Sequence, residues 1–450
     1  MGETRGEKKP QNQYAAQAVS PIVNGEVKLI VDENALKAVG LFDVAEIAFV
    51  DMWAIWFEDH TITVRTDDGD YVFSRMGEWA QRFYDALCDS YNKAVLRAFF
   101  VKSAPAASAS GDYRFTEEGV TLGGTKAAIR VYENCIALLP PNDDARRIPL
   151  CFAVGLEKSD FGFTLKLSTD ETYVFSKMGL GTGHFVTVLE ERIRALREKS
   201  IALVKEIDPT LNTANASQIS KLMPEGVAAQ MGQLASIAPS FTAALESKIS
   251  QSRAAASYEA FKEVCDPAKI WVGFKRNDVQ RDQKTVPAIN EATGEETPPD
   301  PYLIWMAAPS PNRQYAAVEF AVQPGESAAT FIYRTNGDFL GSTMKLNRAL
   351  EAIDFKREVI RLSDDELRLK ENADYYMAAK RTASLRYIRA NFHKRVIHTE
   401  SWKLSLTERW SEEARAEALP QREMRRKRCV SCGIDLKKDT KFCNNCGTKV

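Results

Sequence analysis

Residues 70–77 read DYVFSRMG, and residues 172–179 read TYVFSKMG, 102 positions later. The match extends beyond this string, because Phe83 corresponds to Phe185 at the same offset. An internal repeat fixes the units of a fold, and about 100 residues is the size of a small domain. The sequence therefore indicates a duplicated domain and not a solenoid, whose repeats are shorter.

The sequence pattern of each copy predicts several short strands followed by one helix. Residues 62–64 and 71–73 alternate apolar and polar side chains around an Asp-Gly turn, which is typical of a hairpin. After the first string the period changes, and apolar residues recur on one face of a helix. These are Trp79, Phe83, Leu87 and Tyr91. The second copy repeats this order, so each unit ends in an amphipathic helix.

A unit of about 100 residues, built from antiparallel strands and closed by a C-terminal helix, resembles the pleckstrin-homology-like fold. The resemblance rests on the order and size of the elements. It implies domains that bind lipids, peptides or proteins, and the fold alone does not choose among these ligands.

The repeated string has a structural and a functional interpretation. In the structural one, its phenylalanine enters the core and its glycine permits the corner between strand and helix. In the functional one, Arg75 and Lys177 place the same charge near a helix start, where backbone N–H groups can also bind an anion. The structural interpretation is favoured, and anion contact at these two residues is the alternative.

The last 22 residues contain two CxxC pairs, formed by Cys429, Cys432, Cys443 and Cys446. Each pair bends into a knuckle that directs two thiolates to one point, and four thiolates bind one Zn²⁺ tetrahedrally. Because so small a segment cannot bury a sufficient core, the metal should supply most of its stability. The CxxCG…FCxxCG pattern resembles the double-CxxC zinc-ribbon family, which implies one structural zinc and contacts with protein or nucleic acid.

Two basic clusters precede these cysteines. The first comprises Lys380, Arg381, Arg386, Arg389, Lys394 and Arg395. The second comprises Arg425, Arg426, Lys427 and Arg428. Tyr387 and Phe392 are interleaved with the first cluster, and basic residues with aromatics can hold phosphates and stack on bases. Such residues can also lie on an anionic membrane, whereas the acids nearby favour a plain solvated helix face.

Composition limits the class of protein. The 450 residues suit about three domains, and the formal net charge of −1 gives no global attraction to nucleic acid or membrane. No apolar run is long enough for a membrane span, and the N-terminus lacks the apolar core of a secretory signal. Reduced core thiols are expected at Cys88, Cys135, Cys151 and Cys265. These features indicate the cytoplasm.

The expected fold class is α+β, with tandem small antiparallel barrels or sheets that are each closed by a C-terminal helix, helical linkers and a C-terminal zinc ribbon. A small-residue linker is expected at residues 103–111. The expected segments are 1–22 disordered, 23–101 first pleckstrin-homology-like unit, 112–205 second unit, 206–267 helical linker, 268–362 third such unit, 363–428 charged helical arm and 429–450 zinc ribbon.

No catalytic signature stands out, because the chain has no HExxH, GxxxxGK[ST] or GxSxG motif. We therefore expect a non-enzymatic, cytoplasmic binding or adaptor protein whose ribbon docks a protein partner. Tandem modules on one chain gain affinity through effective concentration. One alternative is a nucleic-acid-binding protein that uses the basic clusters and the ribbon. A second is a protein that associates peripherally with anionic membranes, and a third is an enzyme whose polar pocket the sequence does not reveal.

Overall fold

The computed structural model describes residues 13–117, 119–277, 288–289, 296–297, 301–320, 329–356 and 358–398. These residues form a mixed α/β structure with several antiparallel sheets. Within the described ranges, every helix is too short or too polar to cross a lipid bilayer.

The first unit is a seven-stranded antiparallel sheet followed by a helix. Its elements are β1 (Gln13–Val19), β2 (Gly25–Val31), β3 (Ala35–Val39), β4 (Val44–Ala48), β5 (Ala54–Glu58), β6 (Thr61–Thr66), β7 (Gly69–Ser74) and α1 (Trp79–Ala98). The strand order is β4-β3-β2-β1-β7-β6-β5. The buried stripe of α1, which includes Phe83, Leu87 and Tyr91, packs in the core with Phe73 of β7.

The second unit repeats this architecture. Its elements are β8 (Ala107–Glu117), β9 (Val120–Val131), β10 (Cys135–Leu139), β11 (Arg146–Pro149), β12 (Ala153–Ser159), β13 (Gly162–Leu167), β14 (Thr172–Ser176) and α2 (Thr182–Ile207). The order β11-β10-β9-β8-β14-β13-β12 is that of the first sheet, with each strand seven places later. The register is also kept, since Ile62 faces Phe73 and Phe163 faces Phe175.

Both units begin earlier than the sequence predicts. Disorder is predicted for residues 1–22, whereas residues 13–19 form β1, which pairs with β2 and β7. The predicted linker at 103–111 and the predicted start of the second unit at 112 also differ, because β8 begins at Ala107. Small residues suit β8, since a Cβ at Gly111 would lie 2.6 Å from the carbonyl oxygen of Ser176.

A loop of the second unit packs on an edge of the first. The loop spans residues 140–145 between β10 and β11. The backbone N–H of Ile55 donates to the carbonyl of Pro141 at 2.7 Å, and that of Asp143 donates to the carbonyl of Trp53 at 2.9 Å. The two units are therefore joined by backbone hydrogen bonds at the outer side of β5.

Residues 206–267 are largely helical. Four helices lie here: α3 (Thr213–Leu222), α4 (Met231–Ile237), α5 (Pro239–Ser250) and α6 (Ala255–Val264). Pro239 begins α5, where its missing N–H leaves no helical bond unmade. Phe241, Leu245 and Phe261 share a core with strand residues such as Val272. The sequence predicts a helical linker here. The segment is helical, but it also forms one layer of a further domain.

That domain is built on a third sheet. Its strands are β15 (Ala229–Gln230), β16 (Trp271–Arg276), β19 (Tyr302–Pro309), β20 (Tyr315–Glu319), β21 (Ala329–Arg334) and β22 (Phe392–Ile397), in this spatial order. A separate pair is formed by β17 (Ala288–Ile289) and β18 (Glu296–Thr297). Helix α7 (Phe339–Ala352) follows β21. This six-stranded order differs from that of the first two units, so the prediction of a third copy at 268–362 does not match the topology.

The structure describes the predicted charged arm, residues 363–428, as far as residue 398, and this part is helical only in part. Before and within it lie α8 (Glu358–Arg361), α9 (Asp364–Leu367), α10 (Ala373–Arg381) and α11 (Ala383–Asn391). Residues 392–397 form β22 instead, because they complete the edge of the third sheet beside β21. The arm also packs on the first unit, where the rings of Phe100 and Tyr375 lie 5.9 Å apart.

Candidate anion-binding site

The first basic cluster borders a cavity of about 1080 Å³, which we call the arm pocket. The pocket lies among α8, α9, α10, α11 and the paired strands β21 and β22. Seven cationic side chains line it: Arg361, Arg368, Lys380, Arg386, Arg389, Lys394 and Arg395. Two carboxylates, Asp364 and Glu366, also line it, so positive charge dominates the wall.

Local folding brings these cations together. Thr382 has an extended backbone that ends α10 and begins α11, so the chain changes direction between the two helices. The buried apolar faces of these two helices include Met377, Leu385 and Ile388. The chain then enters β22, where Arg395 faces Phe331 across the sheet. Lysines and arginines from two helices and one strand thereby reach one pocket.

The two carboxylates are already engaged in the wall. Asp364 accepts a hydrogen bond from Nη2 of Arg389 at 2.5 Å, and Arg389 also donates to two backbone carbonyls at 2.7 and 2.8 Å. Glu366 closes a capping box with Ser363, whose backbone N–H lowers the pKa of the Glu366 carboxyl. Arg389 and the acids therefore hold the wall in place.

The exposed arginines of the pocket wall include Arg368, Arg386 and Arg395. The side chains of Arg368 and Arg395 form no hydrogen bond or ion pair within the described part of the chain. Arg386 donates from one nitrogen to the carbonyl of Lys380. Because a guanidinium presents paired donors that match phosphate oxygens, these three side chains suit an anionic ligand.

Aromatic rings stand beside the cations. Tyr376 and Phe392 line the pocket, and the Phe392 side chain is 41% exposed. The Nζ atom of Lys380 lies 5.1 Å from the centre of the Tyr376 ring, and it also pairs with Asp51 of the first unit at 2.9 Å. Exposed rings next to cations form a surface on which flat heterocycles can stack.

Other predicted site residues lie elsewhere. Arg381 is buried and donates from Nη2 to the carbonyl of Met52 at 2.5 Å, so it anchors the arm to the first unit. Arg75 is exposed at the corner before α1, and Lys177 pairs with Asp112 at 2.6 Å on the second unit. The structure does not bring these two residues to one site.

The second basic cluster and the predicted zinc ribbon lie outside the described residues. Their members are Arg425, Arg426, Lys427, Arg428, Cys429, Cys432, Cys443 and Cys446. Among the residues that are described, no group of three or more His, Cys, Asp or Glu side chains is arranged for a metal ion.

Sequence reasoning missed Arg361 and Arg368 as pocket residues. Both flank the acidic run 364–366, and from the sequence alone these acids are expected to neutralise the charge of the two arginines. The available signal was the capping box that starts at Ser363, because it marks the start of a helix between Arg361 and Arg368. No protein-family model matches the chain, and no curated protein is significantly similar to it.

Proposed function

We propose that the chain is a non-enzymatic binding protein whose arm pocket takes a single-stranded nucleic acid. The observation that carries the proposal is the pocket itself, in which seven cations and two exposed or half-exposed aromatic rings share one cavity. Phosphates of a flexible strand would meet the arginines, and its bases would stack on Tyr376 and Phe392. The second basic cluster, residues 425–428, follows in sequence and would extend this contact.

The shape of the site favours a strand over a membrane. The cations line a cavity, whereas a membrane presents a flat surface that contacts convex patches best. A flexible polymer can enter a cavity and place successive phosphates against its wall. The membrane-associated alternative therefore has less support from the geometry.

The remaining chain would act as a scaffold and an adaptor. The strand order shared by the first two units, each followed by one helix, supports pleckstrin-homology-like domains. The two CxxC pairs would hold one structural Zn²⁺ through Cys429, Cys432, Cys443 and Cys446. A protein partner docked on this ribbon is the second candidate function, and it rests on the motif. Free thiols at the four body cysteines support a reducing compartment such as the cytoplasm.

The test is fluorescence anisotropy of the full chain with labelled single-stranded RNA and DNA. We expect binding whose affinity falls with salt, at a slope of about −0.7 for each phosphate contact. The double variant Arg368→Ala/Arg395→Ala should lose about tenfold or more in affinity and flatten the slope by about 1.4. Arg114→Ala/Arg194→Ala changes charge equally at exposed sites of the second unit and is the matched control.

Two outcomes would contradict the proposal. One is equal weakening by the pocket and control variants, which would reduce the effect to general charge. The other is sedimentation with phosphatidylserine vesicles without any binding of oligonucleotides, which would favour the membrane alternative. Recovery of a nuclease-resistant protein partner that is lost on Cys443→Ser/Cys446→Ser would support the adaptor role instead.

A further inference from the structure

The two duplicated units contact each other through a loop of one and a strand edge of the other. Because the units share one architecture, each of them carries both a loop and an edge of this type. The contact inside the chain uses the loop of the second unit, residues 140–145, and the outer side of β5 in the first. Asn142 also forms an antiparallel bridge with Ala54 there, and its carbonyl accepts from the hydroxyl of Tyr91 at 2.8 Å. Within the described part of the chain, the loop of the first unit stays exposed, and the edge of the second unit is touched by Arg197, whose Nη2 atom donates to the carbonyl of Ala153 at 3.1 Å.

The unoccupied loop spans residues 40–43, between β3 and β4. It corresponds to residues 140–145 because β3 and β4 hold the same places in their sheet as β10 and β11. Its tip carries Leu41 and Phe42, which are 85% and 90% exposed, and Val44 beside it is 59% exposed. Hairpin tips ordinarily carry Gly, Asn or Asp, so two large apolar side chains here call for a surface that covers them.

The corresponding edge of the second unit is the start of β12, the last strand of the second sheet. It corresponds to β5, since Ile55 faces Val64 and Leu156 faces Leu165 in matching registers. Residues 153–156 carry no charge, and Val154 is 64% exposed at the local register shift. Apart from the Ala153 carbonyl, which Arg197 engages, this uncharged edge strand can act as a template for docking another segment.

We propose that the protein associates with itself head to tail, with loop 40–43 of one copy docked on edge 153–156 of the next. The occupant is a second copy because the chain already joins the corresponding loop and edge, from the other member of each pair, internally. Such a contact uses different surfaces on the two partners, so each added copy leaves a free loop at one end and a free edge at the other. The product is an open series of oligomers.

The test is sedimentation velocity of the full chain over a range of concentrations. We expect a ladder of species that grows with concentration. The loop variant Leu41→Ser/Phe42→Ser and the edge variant Val154→Lys should each be monomeric. An equimolar mixture of the two should form a dimer and nothing larger, because each variant retains the surface that the other has lost. Phe161→Ser/Leu180→Ser, which removes two other exposed apolar side chains of the second unit, should leave the ladder unchanged.

Several results would overturn the proposal. A wild-type chain that stays monomeric at its highest soluble concentration would do so directly. Loss of association in the loop variant but not in the edge variant would mean a symmetric contact between two loops. Failure of the mixture to dimerise would show that the two surfaces do not meet. Circular dichroism of each variant checks its fold, which should be intact because all substituted side chains are exposed.

Discussion

Arg348 and Glu171 form a buried ion pair between residues that are 177 positions apart in sequence. The Nε atom of Arg348, on α7, lies 2.8 Å from Oε1 of Glu171, in the turn before β14. Arg348 also donates from Nη2 to the carbonyl of Arg147, and the hydroxyl of Tyr173 donates to Glu171. The pair therefore fixes the domain of the third sheet against the second unit.

Removal of one partner should destabilise the protein strongly. Arg348→Ala would leave the Glu171 carboxylate buried without its partner, and we expect a loss of about 3–5 kcal/mol in the free energy of unfolding. Urea denaturation followed by circular dichroism measures this change. The control is Lys166→Ala, which breaks a half-exposed pair with Glu157 and should cost no more than about 1 kcal/mol. Equal losses in the free energy of unfolding of both variants would show that burial does not strengthen the effect of removing Arg348.

The same interface contains a carboxyl with the opposite response to pH. Burial raises the pKa of Glu351, although the positive charges of Lys275 and Arg147 partly offset the effect. Its Oε1 atom has no hydrogen-bond partner among the described residues. Because the folded state then holds the proton more tightly, this group destabilises the fold as pH rises above the ordinary glutamate range.

Glu351→Gln should therefore gain stability relative to the wild type as pH increases. We expect the two proteins to differ least near pH 4 and most once pH exceeds the raised pKa, where the difference becomes constant. Glu171→Gln should show the reverse trend: burial opposes its ionisation, but Arg348 holds the pKa of Glu171 below its ordinary value. Its deficit should be full above the ordinary glutamate pKa and shrink as pH falls. The measurement is the midpoint of urea unfolding of each variant and the wild type across this pH range. If the two trends coincide, the opposite pKa shifts assigned to Glu351 and Glu171 are wrong.

The corner in the repeated string offers a prediction about the backbone. Arg75 and Gly77 both have positive φ, at 58° and 57°, and the same pattern recurs in the second unit at Lys177 and Gly179. A Cβ at Gly77 would meet no atom within 4 Å. Gly77→Ala should therefore cost about 1–2 kcal/mol through the left-handed backbone alone.

Arg75→Gly should be nearly neutral by comparison. It relieves the left-handed strain at this residue, while the greater freedom of glycine in the unfolded chain costs about 0.5–1 kcal/mol. Thermal unfolding of both variants tests the pair. A large loss on Arg75→Gly would mean that the guanidinium makes a stabilising contact within the protein.

The duplicated units were predictable because their signals are local. The Asp-Gly hairpin of the first unit, the glycine corners and the apolar stripe of α1 each lie within about 20 residues. Strand β1 was not predictable from such local signals. Its buried residues are the small Ala16 and Ala18, and its pairing with β7 joins positions that are far apart in sequence. The third sheet was harder still. Strands such as β20 are buried throughout, so no alternation distinguishes a face.

The site was predictable in charge but not in geometry. Six basic residues marked the arm, yet Arg381 is buried against the first unit while its neighbour Lys380 lines the pocket. Which side of a helix faces a cavity depends on what the other side packs against. The contribution of Arg368 depends on the fold of a segment that looks acidic in sequence.

The C-terminal cysteines give a prediction about metal content. We expect one zinc per chain by inductively coupled plasma mass spectrometry, and none in the double variant Cys443→Ser/Cys446→Ser, because two remaining thiolates cannot complete a tetrahedral site. Cys88→Ser/Cys265→Ser, which replaces two half-buried body thiols, is the control and should retain the zinc. The double variant of the ribbon should keep the unfolding transition of the body, since so small a ribbon depends on its own metal. Retention of zinc in that variant, or iron absorbance in the wild type, would contradict a four-cysteine zinc ribbon.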